Sequence, residues 1–92
     1  MYEIPKTVKV GKNKYWIQYK QRTPKTFYGS VYYDRKIIEV FKHADKARER
    51  NTLWHEITHA ILYEMDHELY RDEAFVTAFA DKLSGAIDSA RF

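Results

Sequence analysis

The sequence predicts an α+β fold, a small twisted antiparallel sheet of three to four strands followed by two packed helices. Three observations predict it. Up to Phe41 the chain carries short runs that alternate apolar and polar side chains and are rich in aromatic and β-branched types. After Asn51 the apolar residues recur at steps of three and four, the period of a helix with one buried face. Between these halves, Lys42 to Asn51 is polar and charged, with no Gly or Pro. The chain has 92 residues, which is enough for one domain, 1–92, and leaves no room for a second core.

The sheet is expected over residues 7–41. Thr7-Val8-Lys9-Val10 and Tyr15-Trp16-Ile17-Gln18-Tyr19 flank Gly11-Lys12-Asn13-Lys14, a hairpin signal. Gln21 to Lys25 contains Pro24 and reads as a loop. Phe27 to Tyr33 and Ile37 to Phe41 read as a second hairpin turning at Asp34-Arg35, with Gly29 marking a bulge or a close backbone approach. Asp45 is placed to cap a first helix over residues 46–65. Its apolar stripe is Leu53, Trp54, Ile57, Ala60, Ile61 and Met65. Asp66-His67-Glu68 is the expected break. A second helix follows over residues 71–90, with Val76, Phe79, Ala80, Leu83, Ala86, Ile87 and Ala90 as its stripe. Gly85 lies inside it and weakens it somewhat.

Composition excludes several chemistries. There is no cysteine, which removes disulfides, thiolate metal sites and a cysteine nucleophile, and fits a reducing cytosol. No apolar run approaches the ~18–20 residues that span a bilayer. Met1-Tyr2-Glu3-Ile4-Pro5-Lys6 has no signal-peptide core, so a cytoplasmic location is expected, with no membrane partner. The net charge is +3. Its basic residues are spread along the chain and read as a solvated surface rather than a nucleic-acid footprint.

The chemistry concentrates in the first helix, at His55-Glu56-Ile57-Thr58-His59. Positions i and i+4 share a helix face, so both imidazoles can hold one metal ion from the same side. Glu56 leaves the helix at another angle and can serve as a general base beside the metal without being a ligand. Zinc, one ion, is the expected cofactor, and catalytic zinc takes three protein ligands. The third can come from His67, Glu68, Asp72 or Glu73. Glu73 shares the inward stripe with Val76 and Ala80 and is the first choice. Asp72, a natural cap for the second helix, comes next.

Leu53 to Leu62, followed by Asp72-Glu73-Ala74-Phe75-Val76-Thr77-Ala78-Phe79-Ala80-Asp81-Lys82-Leu83, resembles the ImmA/IrrE family of zinc peptidase-like proteins, in particular its short stand-alone members from bacteriophages and prophages. The resemblance covers the C-terminal half with specific motifs and the N-terminal half only as a sheet pattern. It departs at Thr77, where many members carry Asn, and at Leu83-Ser84-Gly85, where a Leu-Leu-Met-Pro tail would stand. In that family a glutamate a few residues before a Phe-Ala pair is the third ligand. Phe79-Ala80 matches the pair, and the glutamate falls on Glu73. The resemblance implies a minimal zincin-like fold of the HExxH…E (gluzincin-like) type. It also implies a role in cleaving or controlling a phage or mobile-element repressor. The function expected is zinc metallopeptidase, with His55, His59 and Glu73 on the metal, Glu56 as base, and a protein or peptide substrate. An extended substrate is expected to add to Ile37–Phe41, as a sheet edge. The alternative is a non-catalytic, zinc-stabilised protein-binding module of phage origin.

Overall fold

The structure, a computed structural model, describes residues 4–21, 23 and 27–92. The expected loop at 21–25 therefore falls partly outside the described residues. Four strands, β1 (Thr7–Val10), β2 (Asn13–Lys20), β3 (Gly29–Tyr32) and β4 (Ile37–Phe41), precede helix α1 (Lys46–Glu64). A 3₁₀ turn, Glu68–Arg71, leads into helix α2 (Glu73–Ser89). The α+β class and both hairpins are as the sequence predicts.

The sheet is mixed rather than antiparallel. Its order is β1-β2-β4-β3, and β2 lies parallel to β4 with Ile17 beside Ile38 and Tyr19 beside Val40. The expectation that Ile37–Phe41 forms an edge is thereby corrected: β4 is interior, and the edge beside α1 is β3. The physical reason is burial. Ile38 and Val40 are fully buried, whereas β3 offers Gly29, Ser30 and the half-buried Val31 and Tyr32. The most apolar strand takes the centre, and the chain between β2 and β3 is long enough to reach past it.

Helix α1 covers the sheet. Among the described residues α2 packs on α1 and the 3₁₀ turn and makes no contact with any strand, so the layers run sheet, α1, α2. The core joins Val10, Tyr15, Ile38 and Val40 to Leu53, Ile57 and Ala60. Ile61 and Met65, expected in the stripe, are exposed. The stripe on the sheet instead continues to glutamates at both ends, Glu49 and Glu64, at the same steps of three and four. Glu64 accepts hydrogen bonds from Tyr15 Oη (2.6 Å), Asn13 Nδ2 (2.7 Å) and Lys36 Nζ (2.9 Å). Buried Glu49 accepts from Tyr19 Oη and the His43 backbone N–H, both at 2.6 Å, and from Lys46 Nζ at 3.1 Å. Tyr15 and Lys36 hold the Glu64 carboxyl below its usual range. Burial pushes the Glu49 carboxyl up, but His43, Tyr19 and Lys46 together bring it below. Both carboxylates therefore favour the fold above the ordinary carboxylate range and lose that effect as pH falls through the lowered values.

Asp45 caps α1 as predicted, accepting from the Ala47 and Arg48 N–H groups. The helix ends without glycine. Asp66 takes the left-handed conformation (φ 54°), while His67 N–H reaches Leu62 O and Asp66 N–H reaches Tyr63 O, a Schellman arrangement. On α2, Val76, Ala80 and Ser84 face α1, and Phe79, expected inward, is about half exposed. The small inward residues let the two helices approach closely. Asn51 Nδ2 donates to Asp81 (2.7 Å) and Arg50 Nε to Asp88 (3.3 Å) across that contact.

Gly29 sets how closely α1 meets β3. It does so by a close approach, one of the two roles the sequence suggests. A Cβ there would lie 2.7 Å from Thr52 Cγ2, 2.8 Å from Glu39 O and 3.0 Å from Glu56 Cγ. A Cβ on Gly85 would meet nothing within 4 Å. Chemical denaturation should therefore show opposite effects of the same change. Gly29→Ala should destabilise by about 1–3 kcal/mol through overpacking, and Gly85→Ala should stabilise by roughly 0.4–1 kcal/mol.

Candidate metal centre

Helix α1 presents three faces to three neighbours. Leu53, Ile57 and Ala60 face the sheet, Glu56 faces β3, and His55 and His59 face the start of α2. Asp72 caps α2 by accepting from Phe75 N–H (3.0 Å), which puts Glu73 at the first helical position. From there Glu73 Oε1 lies 2.7 Å from His59 Nε2, and Oε2 lies 3.1 Å from His55 Nε2. His55, His59 and Glu73 offer ligand atoms that all lie within 4.8 Å of one another. Of the other ligand candidates, His67 Nδ1 accepts from Leu69 N–H (3.0 Å) as the cap of the 3₁₀ turn. Asp72 is the helix cap, and Glu68 lies within the 3₁₀ turn.

The donor set fits a metal ion. His59 Nδ1 lies 2.6 Å from the Tyr70 carbonyl oxygen. A carbonyl only accepts, so Nδ1 carries the proton and donates, and the Nε2 lone pair is left facing Glu73 Oε1. Two lone pairs at 2.7 Å repel unless a proton or a cation lies between them. A backbone carbonyl that fixes the tautomer of a histidine is the usual outer support of a metal ligand. Tetrahedral zinc needs ligand atoms roughly 3.4 Å apart, so the carboxylate oxygen 2.7 Å from His59 Nε2 has to draw back by about 0.7 Å. Glu73 has the freedom to do so, since its side chain is 69% exposed, against 18% for His55 and 8% for His59. Burial lowers the His55 pKa, against the pull of Glu73, and so favours the neutral imidazole that binds metal.

Glu56 is 8% exposed and has no hydrogen-bond or ion-pair partner among the described residues. Burial, and then the Glu73 carboxylate, raise its pKa to about 8. A divalent cation at the triad would draw it back down. A cleft of about 670 Å³ opens between β3 and α1 and is lined by Phe27, Gly29, Ser30, Val31 and Tyr33 on one side and by His55, Glu56, His59, Tyr70, Arg71 and Glu73 on the other. A space of about 350 Å³ adjoins it and shares Gly29, His55, Glu56 and Glu73, adding Thr77 and Asp81. Tyr33 lies at this wall with its ring stacked on Tyr63 (centroids 4.3 Å) and edge-on to Tyr70 (5.6 Å). Burial, followed by the Glu56 carboxylate, pushes the Tyr33 phenol up to about 12.

Sequence reasoning missed the Tyr70 carbonyl, because a backbone atom leaves no mark in residue type. Nor does anything in the residue pattern separate Tyr33 from the chain's other tyrosines. No protein-family model matches the chain, and no curated protein or solved structure shows significant similarity to it.

The raised pKa of Glu56 predicts a pH signature. The metal-free fold favours the protonated carboxyl, so its contribution is complete below the ordinary carboxylate pKa and is lost as pH rises through about 8. Removing the ionisation by Glu56→Gln should leave thermal stability in chelator nearly unchanged near ~pH 4 and raise it by on the order of 1–3 kcal/mol near ~pH 9. Equal curves at both pH values would count against a desolvated carboxyl.

Proposed function

We propose that the protein is a cytoplasmic zinc metallopeptidase of the ImmA/IrrE type, with His55, His59 and Glu73 as ligands and Glu56 as general base. The observation that carries this reading is Glu56 itself, a buried carboxyl without a partner among the described residues, in the same cleft as a His-His-Glu triad. A structural metal site has no use for such a group, and leaving it unpaired costs stability. Among the described residues the group supplies three ligands rather than the four of a closed structural site, which would leave a position for chemistry.

Zinc held there supplies a Lewis acid that polarises the scissile carbonyl and lets water lose a proton near neutral pH. The protein's own groups do the rest. Tyr70 O keeps His59 in the tautomer that presents Nε2. Glu56 takes a proton from the attacking water as the water oxygen bonds to the carbonyl carbon. It returns that proton to the amide nitrogen as the C–N bond breaks.

The edge strand supplies the substrate's place. Phe41 N–H donates to Tyr28 O, so Tyr28, Ser30 and Tyr32 turn their backbone groups to β4. Gly29 and Val31 then direct theirs to the open edge, over the cleft. An extended peptide adding there would carry its backbone past Glu56. A regulator of phage or mobile-element origin is the substrate the family resemblance suggests. Among the described residues no helix is long and apolar enough to cross a membrane.

Incubation with a mixture of denatured proteins, read by mass spectrometry of new termini, tests the reading. Glu56→Gln should retain its metal and cut at least ~10²-fold more slowly than wild type. Equal cleavage by the two proteins, or none by zinc-loaded wild type, would overturn it, and the latter favours the binding module.

A further inference from the structure

We infer that Tyr33 is a catalytic residue, the phenol that donates a hydrogen bond to the oxyanion formed when water adds to the scissile carbonyl. The inference rests on the peptidase reading and deepens it. A metallopeptidase site needs a donor for the charge that develops on the carbonyl oxygen, and such a donor acts best when it is fixed before the reaction.

Four features single out Tyr33. It occupies the first position after β3, in alternation with Gly29 and Val31, and all three line the cleft beside Glu56. A peptide laid along the edge at Gly29 and Val31 therefore runs toward its side chain. Its ring is held on one face by Tyr63, at 4.3 Å and 17° from parallel, and by the edge contact with Tyr70. Its hydroxyl has no hydrogen-bond partner among the described residues, although the residue is half buried. A phenol in that condition normally finds an acceptor.

The competing donors are placed less well. Tyr63 does not line the cleft; it supports the Tyr33 ring, with Lys36 Nζ 5.4 Å from its own centroid. His67 caps the 3₁₀ turn and also lies outside the cleft lining. Tyr70 does line the cleft, but its assigned contribution is the backbone carbonyl on His59, and its ring is covered by the Arg71 guanidinium at 5.3 Å. Tyr32→Phe is the proper control: Tyr32 precedes Tyr33 on the same strand, its hydroxyl donates to Glu39 (3.2 Å), and it does not line the cleft.

The test uses the cobalt-loaded protein, whose visible spectrum reports ligand entry. The probes are a pool of phosphinic pseudopeptides, which carry a tetrahedral oxyanion, and a matching pool of peptide hydroxamates. Tyr33→Phe should keep one cobalt per chain, weaken the phosphinic pool roughly tenfold or more, and leave the hydroxamates within about threefold of wild type. On any peptide that wild type cuts, it should lower kcat by about 10²-fold with KM changed less than about threefold. Tyr32→Phe should stay close to wild type in each measurement. Unchanged phosphinic affinity in Tyr33→Phe, equal losses in both variants, or loss of cobalt from Tyr33→Phe would overturn the inference and leave the peptidase reading standing. A wild type that holds no metal, or binds neither pool, would overturn both.

Discussion

Everything in this structure depends on how α1 is seated. Among the described residues it is the only helix on the sheet, and it must satisfy three neighbours with one set of side chains. Leu53, Ile57 and Ala60 supply the apolar contact, while Glu49 and Glu64 fasten its two ends to β2 through Tyr19 and Tyr15. These are charge-assisted hydrogen bonds to carboxylates that are only 1% (Glu49) and 15% (Glu64) exposed, and they fix rotation about the helix axis as well as position. That rotation decides where His55, Glu56 and His59 point. Gly29 then sets the distance, because any larger residue would meet Thr52 and Glu56.

The seating creates an electrostatic debt at the site. Glu56 is desolvated beside Glu73, and His59 Nε2 faces a carboxylate oxygen at 2.7 Å, a contact that needs a proton or a cation between the two atoms. Both are relieved by a divalent cation, which neutralises the carboxylates and accepts the lone pairs. In so small a domain, with no disulfide to help, metal binding and stability should be closely linked. The same burial leaves a desolvated carboxyl, Glu56, beside the His55-His59-Glu73 group.

Much of this was legible in the sequence where a local rule operates. The spacing of His55 and His59, the Asp45 cap and the placing of Glu73 on the inward side of α2 all follow from helix geometry. The order of strands did not, because alternation identifies hairpins but not which hairpin lies beside which, or in what direction. Hence β4 looked like an edge and proved to be interior. The stripe on α1 was read as apolar only. Following Leu53, Ile57 and Ala60 outward by the same steps reaches Glu49 and Glu64, a signal that was present in the sequence. Phe79 turned outward because α2 packs through Val76, Ala80 and Ser84. Tyr33 gained its place from the turn after β3, which no residue pattern specifies.

Metal content by elemental analysis, on wild type, Glu73→Ala and Asp72→Ala purified side by side, tests the central claim most directly. The account predicts one zinc per chain in wild type and in Asp72→Ala, which loses only a helix cap, and little or none in Glu73→Ala. Wild type that takes up no zinc even after reconstitution, or Glu73→Ala that holds it as tightly as wild type, would contradict it.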